Sequence, residues 1–240
     1  MNDNINPERE TRILDAAQAL ILHYGYDKTT VSDIAREAGI SKGAIYLHFN
    51  SKEELFEALI WRETQRYVAA IAEELENDDG EWSFTRMYHQ ALTITADSEL
   101  LTALISSDTR VMGSYLQGRG GELANMKRPY TRDLLEGMQK VGALRQDLDV
   151  PAISVILSAL NYGIIIRHQI LPPEDDVPIE RLSMALADIM ERALVPPDGG
   201  DPAAGKEMYR QILRAFQQIN SYQELLALQK QAQQSTEQQE

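Results

Sequence analysis

The segment Thr30–Leu55, TVSDIAREAGISKGAIYLHFNSKEEL, carries three helix-start signals in quick succession, and this constrains the chain more than any other feature. Thr29 or Thr30 can cap a helix over Val31–Glu37, with Asp33 completing a capping box through a shortened acid. Gly39 ends that helix after about two turns and supplies the backbone freedom a tight turn needs. Ser41 caps a second short helix, Lys42–Leu47, whose inner residues are Ala44 and Ile45, with Phe49 just beyond. Asn50-Ser51 then breaks the chain, and Ser51-Lys-Glu-Glu54 is an S-x-x-E box opening a longer helix through Leu55, Phe56, Leu59 and Val68. Two helices this short, joined by a glycine turn, form a helix-turn-helix pattern. They need a supporting helix, because isolated helices of this length are not stable in water. Ile13, Leu14, Ala17, Leu20 and Ile21 provide one as a single apolar stripe between Pro7 and Gly25.

The rest of the chain reads as helix as well, with no convincing period-2 run and no hairpin signal. Helical stretches are expected near 82–96, 98–107, 120–141, 151–170 and 179–194, with Pro129 kinking or splitting the third. Loops are expected at Glu76–Glu81, Gly113–Gly121 and Leu171–Pro178. PPDGGDPAAG after Val195 has linker composition. Met208, Ile212, Phe216 and Ile219 mark another amphipathic helix, and Ser221-Tyr-Gln-Glu224 can start one more. The closing QKQAQQSTEQQE is polar and of low complexity, which predicts a frayed or disordered end.

Composition excludes several classes. The 240 residues include no cysteine, so there is no disulfide framework and no thiolate metal site. The N-terminus lacks the basic and apolar regions of a secretory signal. The longest apolar run, Ile153–Ile166, is broken by Ser154, Ser158 and Asn161 and is too short to span a bilayer, so no membrane association is expected and the location is read as cytoplasmic. The four histidines, His23, His48, His89 and His168, form no metal-ligand pair, and no nucleophile elbow, P-loop or dinucleotide fingerprint is present. The reading is therefore not an enzyme, with no cofactor and no metal.

Net charge is −14, against a general nucleic-acid binder, so any such role must be local. The second short helix carries that locality. Ser41, Lys42 and Gly43 lie at its start, where small residues let backbone N–H groups approach an anion. Tyr46 lies one turn beyond Lys42 on the same side, His48 follows, and Lys52 sits in the first turn of the next helix, where a cation is unfavourable unless something anionic meets it.

The motif IAxxAGxSxGxxYxHFxxKExL, read over Thr30–Leu55, resembles the DNA-binding domain of the TetR/AcrR family of bacterial transcriptional regulators. The resemblance spans about residues 8–60, and Gly25–Thr30 is similar to the family's connection between its first two helices. Beyond it the chain matches in architecture only. The resemblance implies an all-α homodimer with an N-terminal three-helix helix-turn-helix domain and a C-terminal helical ligand-binding and dimerisation domain. It implies Thr30 and Ser32 near phosphate, Ser41, Lys42 and Gly43 at the start of the reading helix with Lys42 and Gly43 facing base edges, Tyr46 and His48 on backbone or base, and Lys52 on a phosphate. The expected partners are double-stranded operator DNA and a small-molecule effector, with regulation as a repressor.

Each residue also has a plainer role: Tyr46 as core, His48 as a C-terminal cap, acidic runs as solvated surface. The expected domains are 1–52 for DNA, 53–195 for ligand and dimer, and 196–240 for linker, extra helix and tail. The helix near 151–170 is apolar around most of its girth, and that near 179–194 carries Leu182, Ala185, Leu186, Ile189, Met190 and Ala193 close to a heptad seam, so both are expected to form the homodimer interface. Tyr88, His89, Tyr115, Tyr130 and Tyr162 are the candidates for a ligand pocket. A competing expectation is a helical small-molecule or protein-binding module with a vestigial helix-turn-helix. It draws on residues 1–55, which hold six Lys or Arg against nine Asp or Glu.

Overall fold

The structure is a computed structural model that describes residues 7–77, 82–118, 132–172, 174 and 176–237. Its described residues are helical with no strand. They fall into two compact units, Met1–Thr64 with Glu99–Glu122 and Asn220–Glu240, and Gln65–Ser98 with Leu123–Ile219.

The first unit begins with α1, Pro7–Tyr24, α2, Val31–Glu37, and α3, Lys42–Tyr46. Local hydrogen bonds set these lengths. Thr30 Oγ1 accepts from Asp33 N–H while the Thr30 N–H donates to Asp33 Oδ2, which makes the capping box. Ser41 Oγ accepts from Ala44 N–H at 3.1 Å, and Ser51 Oγ accepts from Glu54 N–H at 3.1 Å. Glu54 reaches back to Asn50 N–H at 2.8 Å, one residue earlier than the box pattern predicts. The next helix, α4, runs Lys52–Asn77. Ile13, Ala17, Ile21, Ile34, Ile45, Leu55, Phe56 and Leu59 are buried and form the apolar interior on which the short helices depend.

Three further short helices follow in this unit: α6, Glu99–Ser106, α7, Thr109–Met112, and α8, Tyr115–Gly118. The expectation of a loop over Gly113–Gly121 is corrected as far as Gly118, because Tyr115 starts a helical turn and its ring packs on Tyr26 and Phe56 at centroid distances of 5.7 and 4.8 Å, while 119–121 lie outside the described residues. Gly25 meets this segment. It has φ +86°, and a Cβ on it would lie 2.3 Å from the Arg110 carbonyl oxygen. Asp27 completes the join by accepting from the Ser114 N–H and hydroxyl, which holds its carboxyl below the usual carboxylate range. The last helix, α14, Tyr222–Glu237, also belongs to this unit. Tyr222, Leu225 and Leu226 are buried, and Gln223 Nε2 donates to Glu57 at 2.5 Å. The expected disorder of the tail is corrected as far as Glu237: Gln, Ala and Glu are adequate helix formers and continue α14.

In the second unit α12, Ile179–Leu194, packs on α5, Phe84–Asp97. Ser183, Ala187, Met190 and Leu194 are its buried residues, and Met190 and Leu194 share a core with Phe84, Met87 and Leu92. The backbone is helical from 132 to 140, which is α9, and Pro129 lies outside the described residues. The expected helix over 151–170 divides at Ile166 into α10, Val150–Ile165, and α11, Arg167–Ile170. The linker reading after Val195 holds only to Gly200. Asp201 caps α13, Pro202–Gln217, and Gly205 is drawn into the fold, since a Cβ there would lie 2.5 Å from the Trp82 ring. No helix among the described residues is long and apolar enough to cross a membrane.

Candidate nucleic-acid interface

Rotation along α3 decides which side chains face out. At about 100° per residue, Lys42, Gly43, Tyr46 and Leu47 share one arc of about 140°, Ile45 lies about 60° outside it, and Phe49 follows the end of the helix. The burial pattern follows this geometry: Ile45 and Phe49 are buried and the other four are exposed. Lys42 Nζ lies 6.0 Å from the Tyr46 ring centroid, at the outer limit of a cation–π contact. Gly43 sits in the helix with no internal reason to lack a side chain, because a Cβ there would meet nothing nearer than Ser41 Oγ at 3.9 Å. Glycine in a helix costs up to about 1 kcal/mol relative to alanine, and no contact within the fold requires it here.

The remaining expected DNA contacts divide. Thr30 and Ser32 are exposed on the start of α2, with Thr30 Oγ1 engaged by Asp33 and Ser32 without a hydrogen-bond partner among the described residues. Ser41 is exposed, and its hydroxyl is already the α3 cap. His48 is half-buried. Both of its ring nitrogens are shielded from water without a hydrogen-bond partner, and the ring lies 6.1 Å from Phe49, so this side chain must rotate before it can meet a phosphate.

Lys52 has an internal role that spacing alone conceals. Its ammonium donates to the Tyr26 and Thr29 carbonyls at 2.9 and 3.3 Å and sits 4.0 Å from the Tyr26 ring centroid. Two carbonyl dipoles and a ring face account for a cation at the start of α4 without a partner phosphate, and they leave one ammonium proton for an outside acceptor.

Leu47 carries no sequence expectation, yet it is 56% exposed beside Tyr46 at 46%. The available signal was its place one turn after Gly43, on the outward arc.

Of the five ligand-pocket candidates, four lie among the described residues. Tyr115 is buried in the aromatic cluster of the first unit, and Tyr130 lies outside the described residues. In the second unit Tyr88 is buried and its hydroxyl donates to Asn161 Oδ1, burial pushing its ionisation far above the ordinary tyrosine value. His89 Nδ1 lies 2.7 Å from Ser183 Oγ, and Tyr162 is exposed on α10. A groove of about 330 Å³ in this unit is lined by α4 and α13 residues, among them Leu75, Leu213, Arg210 and Arg214, and by none of the five candidates.

A glycine-turned pair of short helices, with an outward cation and tyrosine on the second, defines a DNA-binding helix-turn-helix protein. Comparisons with known proteins agree. The family described as "Bacterial regulatory proteins, tetR family" matches residues 13–59. The probable transcriptional regulator ArpR of Pseudomonas putida is 29% identical over 178 residues, covering 71% of this chain and 84% of that one. The transcriptional repressor Rv1474c of Mycobacterium tuberculosis is 42% identical over 66 residues, covering 28% of this chain and 35% of that one. Among solved structures, the regulator FadR of Bacillus subtilis in complex with stearoyl-CoA superposes with a TM-score of 0.57 at 18% identity, covering 75% of this chain and 96% of that one. Residues 13–59 thus match the DNA-binding region of the tetR family, and over 71% of its length the chain is similar to a transcriptional regulator.

Proposed function

We propose that the protein is a homodimeric, ligand-responsive repressor that binds a palindromic operator. The observation that carries the reading is the exposed arc of α3, where Lys42 and Tyr46 flank a glycine the fold does not require. Two copies of α3 enter successive major grooves about 34 Å apart. Lys42 and Gly43 meet base edges. Tyr46 and a rotated His48, with Thr30, Ser32 and Ser41 at the helix starts, contact backbone, and the spare Lys52 proton meets a phosphate. The acidic remainder lowers affinity for random duplexes and steepens the salt dependence. The repressor sense rests on the 42% identity over 66 residues to the repressor Rv1474c.

Homodimerisation rests on uncovered apolar faces. On α10, Val155, Ile156, Leu160 and Tyr162 are exposed, and on α12, Met184 and Ile189 are exposed at 62% and 61%. Ala152 and Ala159 on α10 and Ala185 and Ala193 on α12 extend the two stripes. Such faces are covered in solution, and two helices per subunit suit a twofold interface. The effector is assigned to the second unit, which holds Tyr88, His89 and Tyr162 of the candidate lining. It acts by binding one dimer state better than the other. The functional division is 1–52 for DNA and 53–195 for effector and dimer, with the 196–240 extension shared between α13 in one unit and α14 in the other.

Selection of random duplexes with the purified full chain tests the proposal. The expected result is a palindrome with half-sites about one helical turn apart. Enrichment of no duplex would support the vestigial alternative instead.

A further inference from the structure

The outward arc of α3 contains one side chain that neither a phosphate nor a polar base edge would select. Leu47, the C-cap of α3, is the most exposed apolar residue of the motif. Its backbone is ordinary, with φ −76° and ψ −21°, so the position is not strained outward. Nor is it a remnant of core packing, because Ile45 and Phe49 already supply the buried side of this segment. It stands one helical turn from Gly43, whose missing side chain opens the same flank of the helix. An aliphatic group beside that opening, on a surface carrying Lys42 and Tyr46, meets one apolar feature in a major groove, the C5-methyl of thymine.

Resting on the reading of α3 as the DNA-reading helix, we propose that Leu47 is a specificity-determining residue that packs on a thymine methyl in each operator half-site. Lys42 and Tyr46 bring the helix to the duplex, and Leu47 discriminates at its own position by burying that methyl. Burial of one methyl group corresponds to about a four-fold change in affinity per half-site, and about fifteen-fold when both half-sites are altered.

The test replaces thymines of the selected operator one at a time by uracil, which removes only the methyl, and measures affinity for the wild-type chain, Leu47→Ala and Leu47→Ile. One thymine per half-site is expected to show the four-fold loss with wild type and with Leu47→Ile, and almost none with Leu47→Ala. If no thymine is sensitive in the wild type, or if the sensitivity persists in Leu47→Ala, the assignment is wrong while the DNA-binding reading stands. Failure to enrich any duplex would remove both. Should Leu47 cover a protein surface instead, Leu47→Ala would change self-association measured by sedimentation and leave the uracil scan as in wild type, which also overturns the assignment.

Discussion

The outward side of α3 is a few residues wide, mixed in chemistry, and set on a helix of five residues held by a serine cap. The outward side of α10 is a long apolar stripe on a helix of sixteen residues. Both leave hydrophobic side chains uncovered, so exposure alone does not distinguish them. The neighbours do. Around Tyr46 and Leu47 stand a lysine, a helical glycine and capping hydroxyls, groups suited to a hydrated, anionic partner that must be released. Around Val155 and Ile156 stand more aliphatic groups and alanines, suited to a partner of the same kind. The first surface should therefore respond to salt, and the second to protein concentration.

The largest expected effect breaks the second surface. Ile156→Asp places a carboxylate in the α10 stripe, twice over in a twofold dimer, at about 2 kcal/mol or more each. Self-association should weaken about a thousand-fold. Because Ile156 is already 51% exposed in the subunit, the circular dichroism spectrum and thermal midpoint of the monomer should stay close to wild type. Sedimentation across a concentration series reads the first quantity. A variant that remains dimeric would place the interface elsewhere.

Tyr46→Ala tests the other surface. Operator affinity should fall ten- to a hundred-fold, about 1.4–2.7 kcal/mol, with self-association and thermal midpoint unmoved. A large drop in stability would show that Tyr46 is a packing residue after all.

Lys52→Ala blurs the comparison in an informative way. Two carbonyls lose a charged donor, so the first unit should be destabilised by about 1–2 kcal/mol, visible as a lower thermal midpoint. The salt slope of operator binding should also flatten. If the slope changes and the midpoint does not, the internal bonds to Tyr26 and Thr29 contribute little, and Lys52 is a phosphate contact alone.

Lys52 also shows where sequence reading stops. The caps at Thr30, Ser41 and Ser51 were legible because each bond closes within three residues. The partners of Lys52 lie 26 and 23 residues earlier, beyond any local pattern. The same limit explains α13: Pro-Ala-Ala-Gly looks like a linker until Asp201 caps it and Trp82, far away in sequence, closes on Gly205. Tyr115 shows it again, since an aromatic flanked by glycines reads as a loop residue and is in fact packed on Tyr26 and Phe56. Outward-facing residues fared unevenly. Lys42 and Tyr46 were placed by helical spacing, whereas His48, two residues after Tyr46 and past the end of α3, has its nitrogens turned away from water.

The smallest expected effect is the sharpest, because its two readouts move in opposite directions. Gly43→Ala adds a methyl group to the second residue of α3. Inside the protein that methyl meets only Ser41 Oγ at ordinary contact distance, so no strain opposes it. Alanine also loses less backbone entropy than glycine on entering a helix, and the first unit should gain about 0.5 kcal/mol, less than the mid-helix value because the position is near the helix end. If α3 approaches a duplex along this flank, the same methyl occupies space that a base pair or sugar needs, and operator affinity should fall although the protein is more stable. A gain in both would mean that Gly43 serves neither the fold nor the groove, and the assignment of this arc to DNA would lose its main support. A loss in both would point to a clash within the protein, which the 3.9 Å clearance argues against. Only stabilisation with weaker binding fits a glycine kept for an outside partner.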